Sequence, residues 1–140
     1  MTSQFSTSAP ESAPDWVGID HVQMAIPVGG EDLARSFYVE VLRLTEIPKP
    51  AVMAARGGAW FEAGDVRVHV GAESDFVPAR KAHPALTMRG LRAFVESAGL
   101  DATWNTEIDG LVRCHVDDPF GNRVELVDAD TIQQSSGAAS

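Results

Sequence analysis

The chain has 140 residues, 44% hydrophobic and 22% charged, a composition typical of one compact domain or of two small modules that share a core. Eleven Lys and Arg against twenty Asp and Glu give a net charge of −9, which disfavours nucleic acid and anionic membrane surfaces as partners, although clustered arginines could still hold a small anionic substrate. A single cysteine, with no signal-peptide pattern and no transmembrane run, favours a cytoplasmic protein.

Both ends of the chain are predicted to be loose tails. Residues 1–14 and 129–140 are mostly small and polar, with little apolar surface to bury. The folded domain is therefore expected over residues 15–128.

The first half of the domain alternates strands with one helix. A strand is predicted over 17–26, with His21 on the face opposite its aliphatic residues. Apolar residues at helical spacing predict a helix over 31–43. Two strands and a turn are expected within 46–64, and a strictly alternating strand over 65–70 places His69 opposite three valines.

The same order of elements restarts after a linker over about 72–81. His83 opens a predicted strand that ends at Met88, and the helix after it should end at Gly99. Further strands are predicted near 102–104, 111–116 and 123–127, the last two joined by a tight turn over 118–122.

An internal duplication explains this order. The segment Arg67-Val68-His69-Val70 matches Arg123-Val124-Glu125-Leu126, and His21 and His83 each open the first strand of their half. The predicted fold is α+β, with two tandem βαβββ modules at about 15–71 and 81–128 that form a curved mixed sheet.

Each half offers one candidate metal ligand at its beginning and one at its end. His21, His69, His83 and Glu125 all have the parity opposite to the aliphatic residues of their strands, so all four could line one concave face. Three imidazoles and a carboxylate suit Zn, Ni, Co, Mn or Fe and do not suit calcium. One such divalent ion could polarise a carbonyl or stabilise an enolate.

Several segments together resemble the glyoxalase/bleomycin-resistance/dioxygenase, or vicinal oxygen chelate, superfamily over nearly all of residues 17–128. They are Asp20-His21-Val22-Gln23-Met24-Ala25 leading into a Phe37-Tyr38 helix, the strand with His69, His83, and Asp117-Asp118-Pro119-Phe120-Gly121-Asn122-Arg123-Val124-Glu125-Leu126. The resemblance implies that His21, His69, His83 and Glu125 match the ligands of the first, fourth, fifth and eighth strands. His69 departs from the pattern, since glyoxalase I usually has glutamate there, methylmalonyl-CoA epimerase has glutamine, and extradiol dioxygenases use only the other three ligands.

Other polar residues are candidates for substrate contact. Arg113 and His115 share a parity and could face the cavity or form a solvated edge pair. Arg67 and Arg123 could hold a carboxylate, or could simply neutralise Glu125. Near the rim of the cleft, Glu62 could serve as a base and Trp60 as an aromatic wall, with core packing as the alternative for Trp60. Gln23 could support His21, and the parity of Cys114 favours burial over reactivity.

The leading functional hypothesis is a metal-dependent lyase or isomerase that acts on a small carbonyl or thioester-like substrate, with Glu125 or Glu62 moving the proton. The alternatives are a ferrous extradiol-type dioxygenase and a metal-free, bleomycin-resistance-like drug-binding protein. A homodimer is expected, because two half-barrel modules leave sheet edges and a wide cleft that a second copy could cover.

Overall fold

The computed structural model describes residues 12–132, so residues 1–11 and 133–140 of the predicted tails 1–14 and 129–140 lie outside the described residues. The first module comprises β1 (Val22–Pro27), α1 (Glu31–Tyr38), β2 (Thr45–Ile47), α2 (Ala51–Ala54), β3 (Ala59–Ala63) and β4 (Val66–Glu73). The second comprises β5 (Ala85–Met88), α3 (Leu91–Ala98), β6 (Thr103–Asn105), β7 (Arg113–Asp117) and β8 (Arg123–Asp128), followed by a short 3₁₀ turn (Ala129–Thr131).

The two modules have the same sheet topology, which confirms the predicted duplication and the α+β fold. The strand order is β1-β4-β3-β2 in one four-stranded sheet and β5-β8-β7-β6 in the other. In each sheet the first strand runs parallel to the last, and the remaining pairs are antiparallel. The chain therefore has two hydrogen-bonded sheets, one in each module, and residues of β1 and β5 line one shared cavity.

Alternation along the strands explains which side chains form the core. Met24 and Ile26 of β1 are buried, as are Val68 and Val70 of β4 and Val124 and Leu126 of β8. From the helices, Ala34, Phe37, Tyr38, Leu91 and Val95 pack into the same cluster. One hydrophobic core thus joins both modules and leaves the opposite sheet faces for polar residues.

Some predicted boundaries differ from the structure. The first strand begins at Val22 rather than at residue 17, because among residues 12–132 β1 pairs only with β4 and its register with β4 starts there. Helix α1 ends at Tyr38 instead of 43, and Arg43 has φ 66°, a left-handed conformation that a right-handed helix does not contain. The short helix α2 lies where only strands and a turn were predicted, and His83 precedes β5 rather than lying within it.

A buried polar network fastens the two modules to each other. The Tyr38 hydroxyl donates to Asp118 Oδ2 at 2.9 Å, and Asn122 Nδ2 donates both to Asp118 Oδ2 and to the Ala25 carbonyl, each at 2.9 Å. Asn122 Oδ1 in turn accepts the amide N–H of Ala79 at 2.9 Å. The turn that follows β7 is therefore held against the first module by bonds that water cannot replace.

None of the helices within residues 12–132 combines the length and the apolar character that crossing a bilayer requires.

Candidate metal centre and neighbouring cavities

The polar face of the second module gathers three candidate ligands. Strand β8 lies between β5 and β7, and Glu125 is the register partner of His115 on β7 and of Ala85 on β5. His83 stands two residues before Ala85 and so reaches the same face. This arrangement places one carboxylate between two imidazoles.

The distances bring these three side chains within the range of a shared ion. His83 Nε2 lies 3.0 Å from Glu125 Oε1, and His115 Nε2 lies 3.6 Å from the same oxygen. The ligand atoms of His83, His115 and Glu125 all lie within 4.8 Å of one another. Neighbouring ligands of an octahedral ion stand about 3.0 Å apart when each bond is about 2.1 Å long, so small adjustments of these side chains suffice for coordination.

A backbone contact selects the nitrogen of His83 that faces the centre. His83 Nδ1 donates to the carbonyl of Lys81 at 2.8 Å, since a carbonyl oxygen can only accept. This bond leaves Nε2 as the coordinating atom and holds the ring in orientation, which is how proteins commonly support a metal-bound imidazole. The donor set and its support therefore fit a divalent metal ion.

The protonation of Glu125 and His115 also suits metal binding. Burial raises the pKa of Glu125, but its hydrogen bonds with His83 and Arg113 lower the pKa by more than burial raises it. The pKa of Glu125 therefore lies below the usual value. Arg113 Nη1 donates to Glu125 Oε2 at 3.2 Å. Burial lowers the pKa of His115, which leaves that imidazole largely neutral at pH 7. Metal ions require an ionised carboxylate and neutral imidazoles.

A cavity of about 350 Å³ adjoins the centre, lined among others by His115, Arg123, Arg80 and Thr103. Arg80 is engaged by Asp117 at 2.8 Å. Arg123 forms no ion pair with any residue in the described range 12–132. Its guanidinium is therefore a donor that a substrate oxygen in this cavity could engage.

The two remaining predicted ligands lie on the polar face of the first module. The His69 ring is stacked between Trp60, with ring centroids 4.1 Å apart, and His21, with centroids 4.0 Å apart. Asp20 Oδ2 lies 2.9 Å from His21 Nδ1, and Glu62 lies 3.6 Å from Arg67. His69 is only 7% exposed, and its burial, together with the neighbouring His21, lowers its pKa.

In the stacked geometry the ring nitrogens of His21 and His69 do not point at one common position. A ring nitrogen coordinates in the plane of its ring at about 2.0 Å. The two rings are inclined by only 15° with centroids 4.0 Å apart, so no point near both nitrogens lies in both planes. Within the chain, the four predicted ligands do not converge: His83 and Glu125 come together, and His115, predicted as a substrate contact, joins them as the third group.

A signal in the sequence could have identified His115. His115 and Glu125 each lie five residues from Phe120, the centre of the tight turn between β7 and β8. Residues placed symmetrically about a hairpin turn are cross-strand neighbours. The strand parity of single residues predicted the correct face, but it did not show that this face is divided between two sheets.

The fold has relatives among solved structures. A glyoxalase family protein from Bacillus anthracis aligns with 40% sequence identity and a TM-score of 0.80 over 84% of this chain and 98% of that one. The fosfomycin resistance protein FosX from Listeria monocytogenes aligns at 11% identity and TM-score 0.60, over 82% and 95% of the two chains. Lactoylglutathione lyase from Agrobacterium tumefaciens aligns at 16% identity and TM-score 0.58, over 84% and 96%. No protein-family model matches the sequence, and no curated protein is significantly similar to it.

Two βαβββ modules of equal topology, with polar faces that carry histidines and a glutamate, define a glyoxalase-like fold. With 40% identity over nearly the whole of the Bacillus anthracis protein, the chain belongs to the glyoxalase family of the vicinal oxygen chelate superfamily.

Proposed function

We propose that the chain is a metal-dependent lyase or isomerase that acts on a small carbonyl or thioester-like compound. The observation that carries this proposal is the convergence of His83, His115 and Glu125, with all ligand atoms within 4.8 Å. Lactoylglutathione lyase and FosX share the fold at 16% and 11% identity, so they support the architecture and leave the substrate to be found by experiment.

Each residue of the centre has a distinct part in the proposed reaction. His83 and His115 present Nε2 atoms, and Glu125 presents Oε1, while Arg113 holds the other carboxylate oxygen at 3.2 Å and offsets its charge. A divalent ion held there would polarise a substrate carbonyl and so acidify the neighbouring carbon. Arg123 would bind an oxygen of the substrate in the adjoining cavity, and Glu125 would accept the proton.

The other predicted site residues lie on the first module. Glu62, Arg67 and Trp60 line the cavity that also contains His69. They can act in the proposed reaction only if this face of the first module approaches a metal centre, for example that of a second copy of the chain. Ligation by His21 or His69 stays a prediction, and it requires their ring stack to open. Zn, Ni, Co, Mn and Fe all remain suitable ions for the donor set.

A ferrous dioxygenase is the second candidate. Two histidines and one carboxylate, with the remaining coordination positions open, are the ligand set typical of non-haem iron oxygenases. Since His69 lies in a separate ring stack, it does not fill one of those positions within the chain. Oxygen consumption by the ferrous protein with catechols would favour this reading, whereas a drug-sequestering protein would need no converging ligands.

The metal content of the purified protein tests whether His83, His115 and Glu125 bind an ion. After reconstitution, mass spectrometry should find about one ion per chain, and His83→Ala, His115→Ala and Glu125→Ala should each lower the affinity about 10-fold or more, since each removes one of three ligands. The chain has four histidines, so His21→Ala and His69→Ala complete the series and test whether the first module contributes ligands. Metal loss in those two variants, with retention in His83→Ala and His115→Ala, would overturn the assignment.

The reaction type requires a separate measurement. Solvent deuterium exchange into small carbonyl and thioester compounds should depend on the metal and fall sharply in Glu125→Gln, while the exposed Glu107→Gln should behave like wild type. Exchange that survives chelation would contradict a metal-dependent proton transfer.

A further inference from the structure

A cavity of about 160 Å³ lies behind the sheet of the second module, on the side away from the metal centre. Leu86 and Leu126, which line it, are register partners on β5 and β8. The residues directly before them, Ala85 and Glu125, are also register partners. Because successive side chains of a strand point to opposite faces, the two leucines lie on the face opposite to Glu125. The cavity is therefore separate from the site of the proposed reaction.

Both modules contribute walls to this cavity. The first module supplies the segment between α1 and β2 and the adjoining ends of β3 and β4, and the second supplies β5, α3 and β8. The large apolar side chains of the walls are Leu42, Leu44, Val66, Leu86, Phe94 and Leu126. The cavity thus lies at the seam where one module packs on the other, and it is called the seam cavity below.

The chemistry of the seam cavity excludes charged ligands. Among the described residues that line it, none is charged, and Thr87 alone has a polar side chain. Thr87 and Ala63 are exposed, whereas Leu44 and Leu126 are buried. Solvent therefore reaches the cavity beside Thr87 and Ala63, and the inner wall is hydrocarbon. A charged group that entered would lose its hydration without a partner to replace it.

The size of the seam cavity favours a small molecule. Apolar cavities of about 150 Å³ that are lined by leucine, isoleucine and phenylalanine stay dry and can bind benzene. The seam cavity has nearly this volume and this kind of lining. Pockets for drug-sized ligands are larger, at about 300–1,000 Å³. A ligand of about six carbon atoms therefore matches the space.

We propose that the seam cavity binds a small, neutral apolar molecule of about six carbon atoms, such as a monocyclic hydrocarbon. The bound molecule contacts side chains of both modules, and it stabilises the folded chain because the unfolded chain has no such cavity. The site goes beyond the proposed metal chemistry and does not depend on which reaction the metal centre performs.

The test follows the methyl signals of the full-length chain labelled with ¹³C-methyl methionine, since the chain has four methionines. Met88 lines the seam cavity, whereas Met53 lines a different cavity on the first module. Benzene should shift the Met88 signal through its ring current and leave the Met53 signal unchanged. The melting temperature of the protein should rise with benzene concentration. Benzoate, the same ring with a negative charge, should bind at least about tenfold more weakly.

Two substitutions that fill the cavity locate the site. Ala63→Leu adds a larger side chain at an exposed residue of the first module, and Leu86→Phe adds volume at a partly exposed residue of the second. Each should weaken benzene binding about fivefold or more. Ala93→Leu is the matched control, because Ala93 is exposed on α3 and does not line the cavity. That variant should bind benzene as the wild type does.

Three outcomes would overturn the proposal: benzoate that binds as tightly as benzene, equal shifts of Met53 and Met88, or unchanged benzene binding in both filling variants. Nuclear Overhauser contacts of the Met88 methyl group with residues 1–11, with residues 133–140 or with a second copy, in the absence of benzene, would also overturn it, since protein would then fill the cavity. The benzene and benzoate comparison on the wild type decides the matter even if a filling variant fails to fold. Each titration is made with and without manganese, so failure here is distinct from failure of the metal centre.

Discussion

At the scale of single residues, Cys114 illustrates how position determines reactivity. It is fully buried on β7, and burial, assisted by the charge of Glu125, raises the pKa of its thiol to about 11. At pH 8 the group is therefore a protonated thiol and a poor nucleophile. Native protein should react with a thiol reagent such as DTNB far more slowly than protein unfolded in guanidinium.

The denatured chain is the control for this labelling, because it contains the same single cysteine. Labelling of the native protein at the unfolded rate would show that β7 opens readily or that the thiol is accessible. Either result would contradict the packing around Cys114.

The burial of Cys114 was predictable from strand parity alone, and so was the side of the sheet on which His115 and Glu125 lie. The contact between His115 and Glu125 was not, since it depends on the register between β7 and β8. The stack of His21 on His69 was also beyond prediction. Parity gives the face of a side chain, whereas ring orientation follows from the neighbours that pack against it.

At the scale of elements, the turn after β7 fastens the modules, and Asn122 is its centre. Asn122→Ala would remove both donor bonds of Nδ2 and the acceptor bond of Oδ1 to Ala79 in a site only 1% exposed. Because buried partners left unsatisfied cost about 1–3 kcal/mol each, we expect a loss of about 3 kcal/mol or more in the free energy of unfolding.

Asn105→Ala is the matched control for this change. Asn105 bonds only locally to Glu107, at an exposed position, so its loss should cost about 1 kcal/mol or less. Urea denaturation measures both variants. Equal effects would contradict the view that Asn122 joins the modules.

A second prediction at this scale concerns Gly58, the residue directly before β3. Gly58 has φ 86°, and a Cβ there would lie 2.1 Å from the carbonyl oxygen of Val70. Gly58→Ala should therefore cost about 2–4 kcal/mol, from the backbone conformation and the clash together. Gly64 has φ 56° with open space around it, so Gly64→Ala should cost about 1 kcal/mol. Thermal melting of both variants tests the difference, and a smaller loss at Gly58 would contradict the close approach of β3 to β4.

Element types were largely predictable, and element ends were less so. Helix α3 ends at Gly99 as expected, where the residue adopts φ 65° and its N–H donates to Val95 and Glu96 carbonyls. Residues 17–21 alternate like a strand yet pair with no strand in the described part of the chain, so β1 starts only at Val22. Pairing, which decides a strand's extent, depends on residues far away in sequence.

At the scale of the whole molecule, the fold prediction was based on the internal repeat. Matching segments in the two halves implied matching topology, and the orders β1-β4-β3-β2 and β5-β8-β7-β6 confirm it. The repeat also led to the expectation that four ligands would share one face. Each module keeps its own hydrogen-bonded sheet; within it His21 stacks on His69, while His83 and Glu125 come together with His115.

The open edges of these sheets support the expected homodimer. Strands β1 and β5 each pair with a single strand among the described residues. Immediately before β1, Trp16, Val17 and Ile19 are 86%, 94% and 81% exposed. An apolar segment beside an unpaired edge is a surface that association would cover. The chain of 15.0 kDa should therefore have a mass of about 30 kDa in solution.

Light scattering over a range of micromolar concentrations measures this mass, and two substitutions test where the contact lies. Val17→Asp places a charge within the exposed segment and should shift the protein toward the monomer, because an unpaired charge is costly to bury at an interface. Val77→Asp introduces the same charge at a valine that is 75% exposed elsewhere and should leave the mass unchanged. A mass near that of one chain for the wild type would contradict the dimer, and an equal response to both substitutions would place the contact away from the segment before β1.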